Sequence, residues 1–289
     1  MQHLTLTAIP AIEKLSNNVI RVLGCNPGPK TLLGTNTYLI GNGKRRILLD
    51  TGVGGIQDYI SNLQNVLKDN KIAIQEIVIS HWHPDHIGGI VEVAELLKES
   101  VRISKYPRQA RDDEEIGGGL KYSFLKDKAI ISTEGATLRA VFTPGHSDDH
   151  LVYVLEEENA VFSGDCILGE GTSVFEDLYD YMRSLNVIKG LNPDIIYPGH
   201  GPVIRNPMPK IEEYIKHRLL RESQIYDTLK QSSSPLTAMQ IVKKIYVDTP
   251  VVLHKAAEGN VLLHIGKLVK DNKIDKSVDS EDVYWQAKS

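Results

Sequence analysis

The stretch Ser80-His81-Trp82-His83-Pro84-Asp85-His86 places three imidazoles and a carboxylate within six residues. Ten histidines stand in 289 residues, and random placement gives H-x-H-x-D-H in only about one such chain in a thousand, far below ordinary motif noise. His81 and His83, two apart at the end of an extended segment, project to the same side, and a tight loop through Pro84 turns Asp85 and His86 toward a neighbouring point. Donors this dense suit two adjacent cations better than one. Three further candidates lie far along the chain, each directly after a glycine that permits a sharp turn: His146 in TPGHSDDH, Asp165 in FSGDC and His200 in YPGHG. Singly, a histidine after a strand is more often a surface or hydrogen-bonded core residue; three such residues beside the cluster reverse that expectation.

Imidazole and carboxylate suit Zn2+ or Mn2+. Two such ions about 3.5–4 Å apart can share a water that is ionised near neutral pH. The expected nucleophile is then hydroxide, since the chain shows no Gly-x-Ser-x-Gly elbow and no Cys–His pair with a better claim. A purely structural zinc site is disfavoured, because such sites are closed and rich in cysteine.

Strand ends must position these donors. Residues 17–24, 36–41 and 46–50 read as short strands, apolar residues from Ile56 recur at helical spacing, and EIVIS at 76–80 returns to a buried strand. A helix is expected from about Gly89 to Lys98, then a strand at 101–104. Residues 105–128, with RDDEE and then GGG, read as a solvated excursion. Strands follow at AIIS, TLRAVFT, LVYVL and NAVFS, then a helix over 177–190 and a strand at 194–198. In the last 89 residues the pattern predicts a helix from Pro209 to Lys230, others at about 236–246 and 254–269, and a short strand or wing at DNKID.

With 41% hydrophobic and 24% charged residues the composition is that of a globular protein, not a disordered one. The formal net charge of −4 is a sum of −7 over residues 1–200 and +3 over 201–289, so a stable, chain-wide grip on DNA is not expected. No apolar run approaches the length of a membrane span. Cys25 and Cys166 lie far apart and match no ligand spacing, which predicts buried thiols in a reducing compartment. The first twelve residues contain no Lys or Arg, so no targeting peptide is legible there.

Residues 17–204, with H-x-H-x-D-H followed by His146, Asp165 and His200 in that order, resemble the metallo-β-lactamase fold superfamily. The resemblance implies an α/β fold, an αββα sandwich over residues 1–204 with a helical, winged-helix-like extension over 205–289. It also implies two metal ions per chain, usually Zn2+ with Mn2+ as an alternative. One would be held by His81, His83 and His146, the other by Asp85, His86 and His200, with Asp165 bridging. Asp50 of LLDTG matches the strand-end Asp that hydrogen-bonds ligand histidines. The lactam-hydrolysing members carry Cys or Ser near the bridging position, and a register shift onto Cys166 would point its thiol away from the cleft. The single-iron persulfide dioxygenases lack the second-site ligands that are present here.

LGCNPGPKTLLGTNTYLIG (23–41), FSGDCILGEGTSVFEDLYDYMRSL (162–185), YPGHGPVI (197–204) and HRLLRESQI (217–225) are similar to the β-lactamase-like protein 2 group. That similarity implies an endoribonuclease of the mitochondrial matrix, with the cytoplasm as the alternative, acting on single-stranded RNA and on neither membrane nor DNA. Only 35 residues separate Asp165 from His200, too few for the inserted domain of larger RNases of this fold. Asp85 and His200 are the expected catalytic residues, with His150 a second candidate for the leaving group. Arg205, Arg218 and Tyr179, with Lys210, His217, Arg221, Tyr122 and Tyr181, are candidate RNA contacts. Two alternatives stay open: a glyoxalase II-like thioester hydrolase, although Ser147-Asp148-Asp149-His150 departs from that branch, and a non-catalytic RNA- or protein-binding module. Oligomeric state is left open.

Overall fold

The computed structural model describes residues 6–279 and 282–288. Its first half forms β1 (Ile12–Lys14), β2 (Val19–Leu23), β3 (Asn36–Ile40) and β4 (Arg45–Leu49), then α1 (Gln57–Asp69) and β5 (Ala73–Val78). After α2 (Pro84–Ile87) and α3 (Ile90–Leu97) come β6 (Arg102–Lys105) and β7 (Tyr122–Phe124). These seven strands lie side by side in sequence order, antiparallel up to β4 and parallel beyond it. A second sheet contains β8 (Ile130–Thr133), β9 (Ala136–Phe142), β10 (Leu151–Leu155) and β11 (Ala160–Gly164). Helix α4 (Leu178–Leu191) then crosses to β12 (Ile195–Pro198), giving the order β12-β11-β10-β9-β8.

Every residue of β2, β3, β10 and β11 is buried, which requires cover on both faces of each sheet. Between the sheets pack Tyr38, Ile47 and Leu49 from the first and Leu138, Tyr153, Phe162 and Tyr197 from the second. Outside the first sheet, Tyr59, Leu63 and Val66 of α1 cover Val22, Leu39 and Leu48. Outside the second, Tyr181, Leu185 and Ile188 of α4 cover Val152, Val154 and Ile196. The result is the expected αββα layering.

The chain continues into α5 (Pro207–Lys230), α6 (Ala238–Ile245), α7 (His254–Lys270) and a hairpin of β13 (Ile274–Asp279) and β14 (Asp282–Ala287). Ile225, Leu229, Ile241, Val261, Leu268 and Trp285 form a further core. Helix α5 serves two cores, because its first half places Ile211 and Tyr214 against the second sheet.

Several local expectations need correction. The loop expected through Pro84 is the helical turn α2, with Pro84 at its first position, where a missing N–H costs nothing. Helix α5 starts at Pro207 rather than Pro209. β1 escaped notice because three residues carry too little periodicity. The expected solvated excursion over 105–128 is only partly solvated: it contains β7, and Lys105 is 1% exposed, paired with Asp113 and, at 2.9 Å, with Asp149.

Candidate metal centre

Because β9 and β11 are each antiparallel to β10 while β12 is parallel to β11, the C-terminal ends of β9, β11 and β12 share one edge. The same ends of β4 and β5 meet them there: Ser80 O accepts from Leu151 N at 2.8 Å, and Gly199 O accepts from Asn36 N at 2.7 Å. Asp50, His81, His146, Asp165 and His200 all follow strands at this edge. Glycines let the loops close. A Cβ at Gly199 would collide with Asp165 Oδ1, and Gly164, at φ +47°, approaches the His150 ring.

Three ring nitrogens converge: His81 Nε2 lies 2.9 Å from His83 Nδ1, and His146 Nε2 lies 3.2 and 3.0 Å from them. A second group adjoins it, with Asp85 Oδ2 at 3.4 Å from His86 Nε2 and 3.2 Å from His200 Nε2. Asp165 sits between the groups. One oxygen is 3.4 Å from His86 Nε2, and the other is 3.7 Å from His146 Nε2 and 3.3 Å from His200 Nε2. All seven residues expected as ligands are therefore brought together, and triads of their donor atoms lie within 4.8 Å of one another.

The outer nitrogens fix which lone pairs point inward. His146 Nδ1 donates to Val174 O at 2.7 Å, His86 Nδ1 to Asp50 Oδ2 at 2.7 Å and His200 Nδ1 to Gly34 O at 3.3 Å. Ser80 Oγ donates to Asp50 Oδ2 at 2.7 Å and so accepts from His81 Nδ1 at 3.0 Å. His81 and His146 then turn bare Nε2 lone pairs toward each other at 3.2 Å, an arrangement that is repulsive unless a cation lies between them. His86 Nε2 and Asp165 Oδ1 are buried without any hydrogen-bond partner, a cost of roughly 1–3 kcal/mol per group if nothing else satisfied them. Nitrogen and oxygen donors, inward lone pairs and orphaned buried atoms together fit divalent cations.

The two halves of the cluster differ electrostatically. Burial depresses the pKa of His81, of His146 and of His83, the last to about 3. At His86 and His200 burial acts the same way but is outweighed by Asp85 and Asp165, with Asp50 adding to the effect at His86; His200 is pushed up to about 9. Burial would raise the Asp165 carboxyl, yet His200 and His86 hold it well below the usual carboxylate range.

Cys166 belongs to the apolar cluster under α4, and burial pushes its thiol up, so the residue aimed at the cleft is Asp165. His150 is fully buried, accepts from Asp165 N through Nε2 at 3.1 Å and contacts Thr143 Oγ1 at 2.9 Å. It shapes the Asp165 turn and is out of reach of a leaving group.

The structure does not bring the expected RNA contacts to the cleft. Arg218 is 6% exposed, donates to Ser173 O at 2.9 Å and stacks on Phe175. Arg205 is carried away from His200 because Ile204 pairs back onto Ile196. Tyr179 faces Arg183 and Lys270 on the outer helices. Tyr181 is buried with its hydroxyl on Cys166 O. The cleft, about 540 Å3, is lined by Lys30, Trp82, Leu168, Glu170, Ser173 and Val174 around the donors. Sequence reading passed over Ser80, Thr35 and Ser173. Ser80 adjoins the motif, which is signal enough; Thr35, donating to Asp85 Oδ2 at 3.1 Å, and Ser173, donating to Asp165 O, gave none.

Residues 31–200 match the metallo-beta-lactamase superfamily model, and residues 237–285 match the beta-lactamase associated winged helix domain. A beta-lactamase-like protein 2 homolog from Caenorhabditis elegans is 47% identical, covering 94% of this chain and 90% of its own length. One from Drosophila melanogaster is 46% identical over 98% and 99%. Among solved structures, a beta-lactamase domain protein from Burkholderia ambifaria aligns with a TM-score of 0.80 at 17% identity, covering 97% of this chain and 95% of that one. A metallo-beta-lactamase family protein from Thermus thermophilus aligns at 0.72 and 20%, covering 95% and 100%; both show the fold. Sandwich, strand-end donors and matched sequence agree, and the chain belongs to the metallo-beta-lactamase superfamily, with that family's associated winged-helix domain in its C-terminal part.

Proposed function

We propose that this protein is a zinc-dependent endoribonuclease that hydrolyses phosphodiester bonds of single-stranded RNA in the mitochondrial matrix. The observation that carries the reading is the shared carboxylate of Asp165 between two inward-facing donor groups, an arrangement for a pair of cations acting on one substrate group. Similarity to beta-lactamase-like protein 2 homologs over nearly the whole chain supports the choice among hydrolases.

His81, His83 and His146 would hold one ion, Asp85, His86 and His200 the other, with Asp165 between them. Bound divalent cations supply Lewis acidity and a water ionised near neutral pH. The protein's own part is orientation. Asp50 fixes His86 and, through Ser80, His81. Asp85, whose side chain is 24% exposed, stands at the cleft and is held by Thr35, placed to orient an attacking water as well as to serve as a metal donor. His200 keeps the Asp85 and Asp165 carboxylates in register. Water adds to phosphorus and the P–O3′ bond breaks, leaving a 5′-phosphate and a 3′-hydroxyl.

A second reading, thioester hydrolysis, is favoured by the cleft wall, where Lys30 is the only lysine or arginine among the described residues and Glu170 stands as an acid. Incubating the purified, metal-analysed protein with labelled single-stranded RNA and with S-lactoylglutathione separates the two. RNA cleavage that falls by about a thousandfold or more in a folded Asp165→Ala variant supports the nuclease. Equal cleavage by that variant, or turnover of the thioester alone, refutes it.

A further inference from the structure

We propose that Trp82, together with Arg111, forms a substrate platform beside the metal centre, stacking an unpaired nucleobase on the indole and engaging its neighbouring phosphate through the guanidinium. This rests on the nuclease reading above. Trp82 stands between His81 and His83 and lines the cleft. Arg108 Cζ lies 4.2 Å and Arg111 Cζ 5.1 Å from its ring centroid, within cation–π range.

The platform is rigid for reasons outside the indole. Arg108 is 9% exposed and paired with Asp148, whose Oδ2 also accepts from Gln109 N at 3.0 Å and Ala110 N at 2.7 Å. The adjacent Asp149 pairs with buried Lys105 at 2.9 Å and accepts from Ser147 Oγ at 2.8 Å. Asp113, the other partner of Lys105, accepts from Arg108 N at 3.1 Å. Segment 105–113 is thus stapled onto Asp148 and Asp149, which lie two and three residues beyond His146. Side chains fixed before binding lose little entropy on contact.

The two arginines have different work. Arg108 is committed to Asp148, whereas Arg111 is exposed and makes no ion pair among the described residues. It is an exposed cation beside the indole, outside the cleft wall itself, whose one lysine or arginine among the described residues is Lys30 from the loop that precedes β3. Aromatic rings stack bases of any sequence but only when those bases are unpaired, which selects single strands. The Trp82 Nε1 is buried without an acceptor, so replacing indole by phenyl removes no hydrogen bond.

The test compares metal-loaded wild type, Trp82→Ala, Trp82→Phe and Arg111→Gln on a uridine homopolymer and on an abasic ribose-phosphate chain of equal length, with metal content measured for each. Expected is a KM about tenfold higher for Trp82→Ala on the homopolymer, with kcat within about twofold, the abasic chain unaffected, and most of the loss restored in Trp82→Phe. Arg111→Gln should raise KM on both chains and flatten the log–log salt dependence of binding by about one. If Trp82→Ala weakens both chains equally, or Arg111→Gln leaves the salt slope unchanged, the platform is overturned while the nuclease reading stands. If the wild type cleaves neither chain, the nuclease reading fails and takes the platform with it.

Discussion

At the scale of single residues, most of the work around the donors is done by groups that would touch neither metal nor substrate. Asp50 accepts from Ser80 N, Ser80 Oγ and His86 Nδ1, each at 2.7 Å, while itself adopting φ 60°, a region that Asp tolerates better than most residues. Through those contacts it sets the ring orientation of two histidines. Asp50→Asn can keep the shape but weakens the hold on His86 Nδ1–H. Metal affinity should therefore fall by about 10- to 100-fold, read by competition with a chromophoric chelator, with little change in the circular-dichroism spectrum. Unchanged affinity would mean that the histidines are oriented by packing alone.

Among the elements, α7 carries an unusual group. His264 is fully buried with both ring nitrogens lacking partners, and burial, followed by Arg218, Arg221, Lys267 and His217 around it, lowers its pKa to about 3. The folded value lies below the unfolded one, so below about pH 6.5 the unfolded chain takes up a proton that the folded chain refuses. Stability from this group is present above that pH and is lost as pH falls. His264→Leu removes the titration. Relative to wild type, the variant should gain about 2 kcal/mol between pH 7 and pH 5 in urea unfolding; a pH-independent difference would show that His264 does not stay neutral in the fold. The same helix is tied back to α5 and α4 through Lys267–Glu222 at 2.7 Å and Lys270–Asp177 at 2.5 Å.

Over the whole molecule, Arg218 joins the tail to the site. It reaches from α5 to Ser173 O, and Ser173 Oγ in turn donates to the carbonyl of Asp165. Arg218→Ala strands a buried carbonyl and should destabilise the protein by about 1–3 kcal/mol, with Lys a poor substitute because it lacks the planar fork. A chemical-denaturation curve superimposable on wild type would contradict the contact. Metal binding and global stability are linked as well. Ions bound at 100 times Kd add about 2.7 kcal/mol, so removal by EDTA should lower the melting temperature by about 5–10 °C, restored by excess Zn2+. A melting temperature insensitive to chelation would argue against a metal-loaded native state.

Sequence alone determined the layering and the donors. Periodicity reports which face of an element is buried, and the donor motif is dense and glycine-led, so His81, His83, Asp85, His86, His146, Asp165 and His200 were legible before any fold was known. Sequence could not place the rest, because long-range position depends on which way a chain turns after a strand. Arg205 and Arg218 carry the right charge for a phosphate, yet the return pairing of Ile204 on Ile196 turns one away, and burial against Phe175 takes the other. RDDEE read as solvent-facing, yet its Asp113 closes on buried Lys105. Only the tertiary structure decided that Arg108 is committed to Asp148 while Arg111 stays exposed beside Trp82, because whether a cation is paired depends on which carboxylates the fold brings to it.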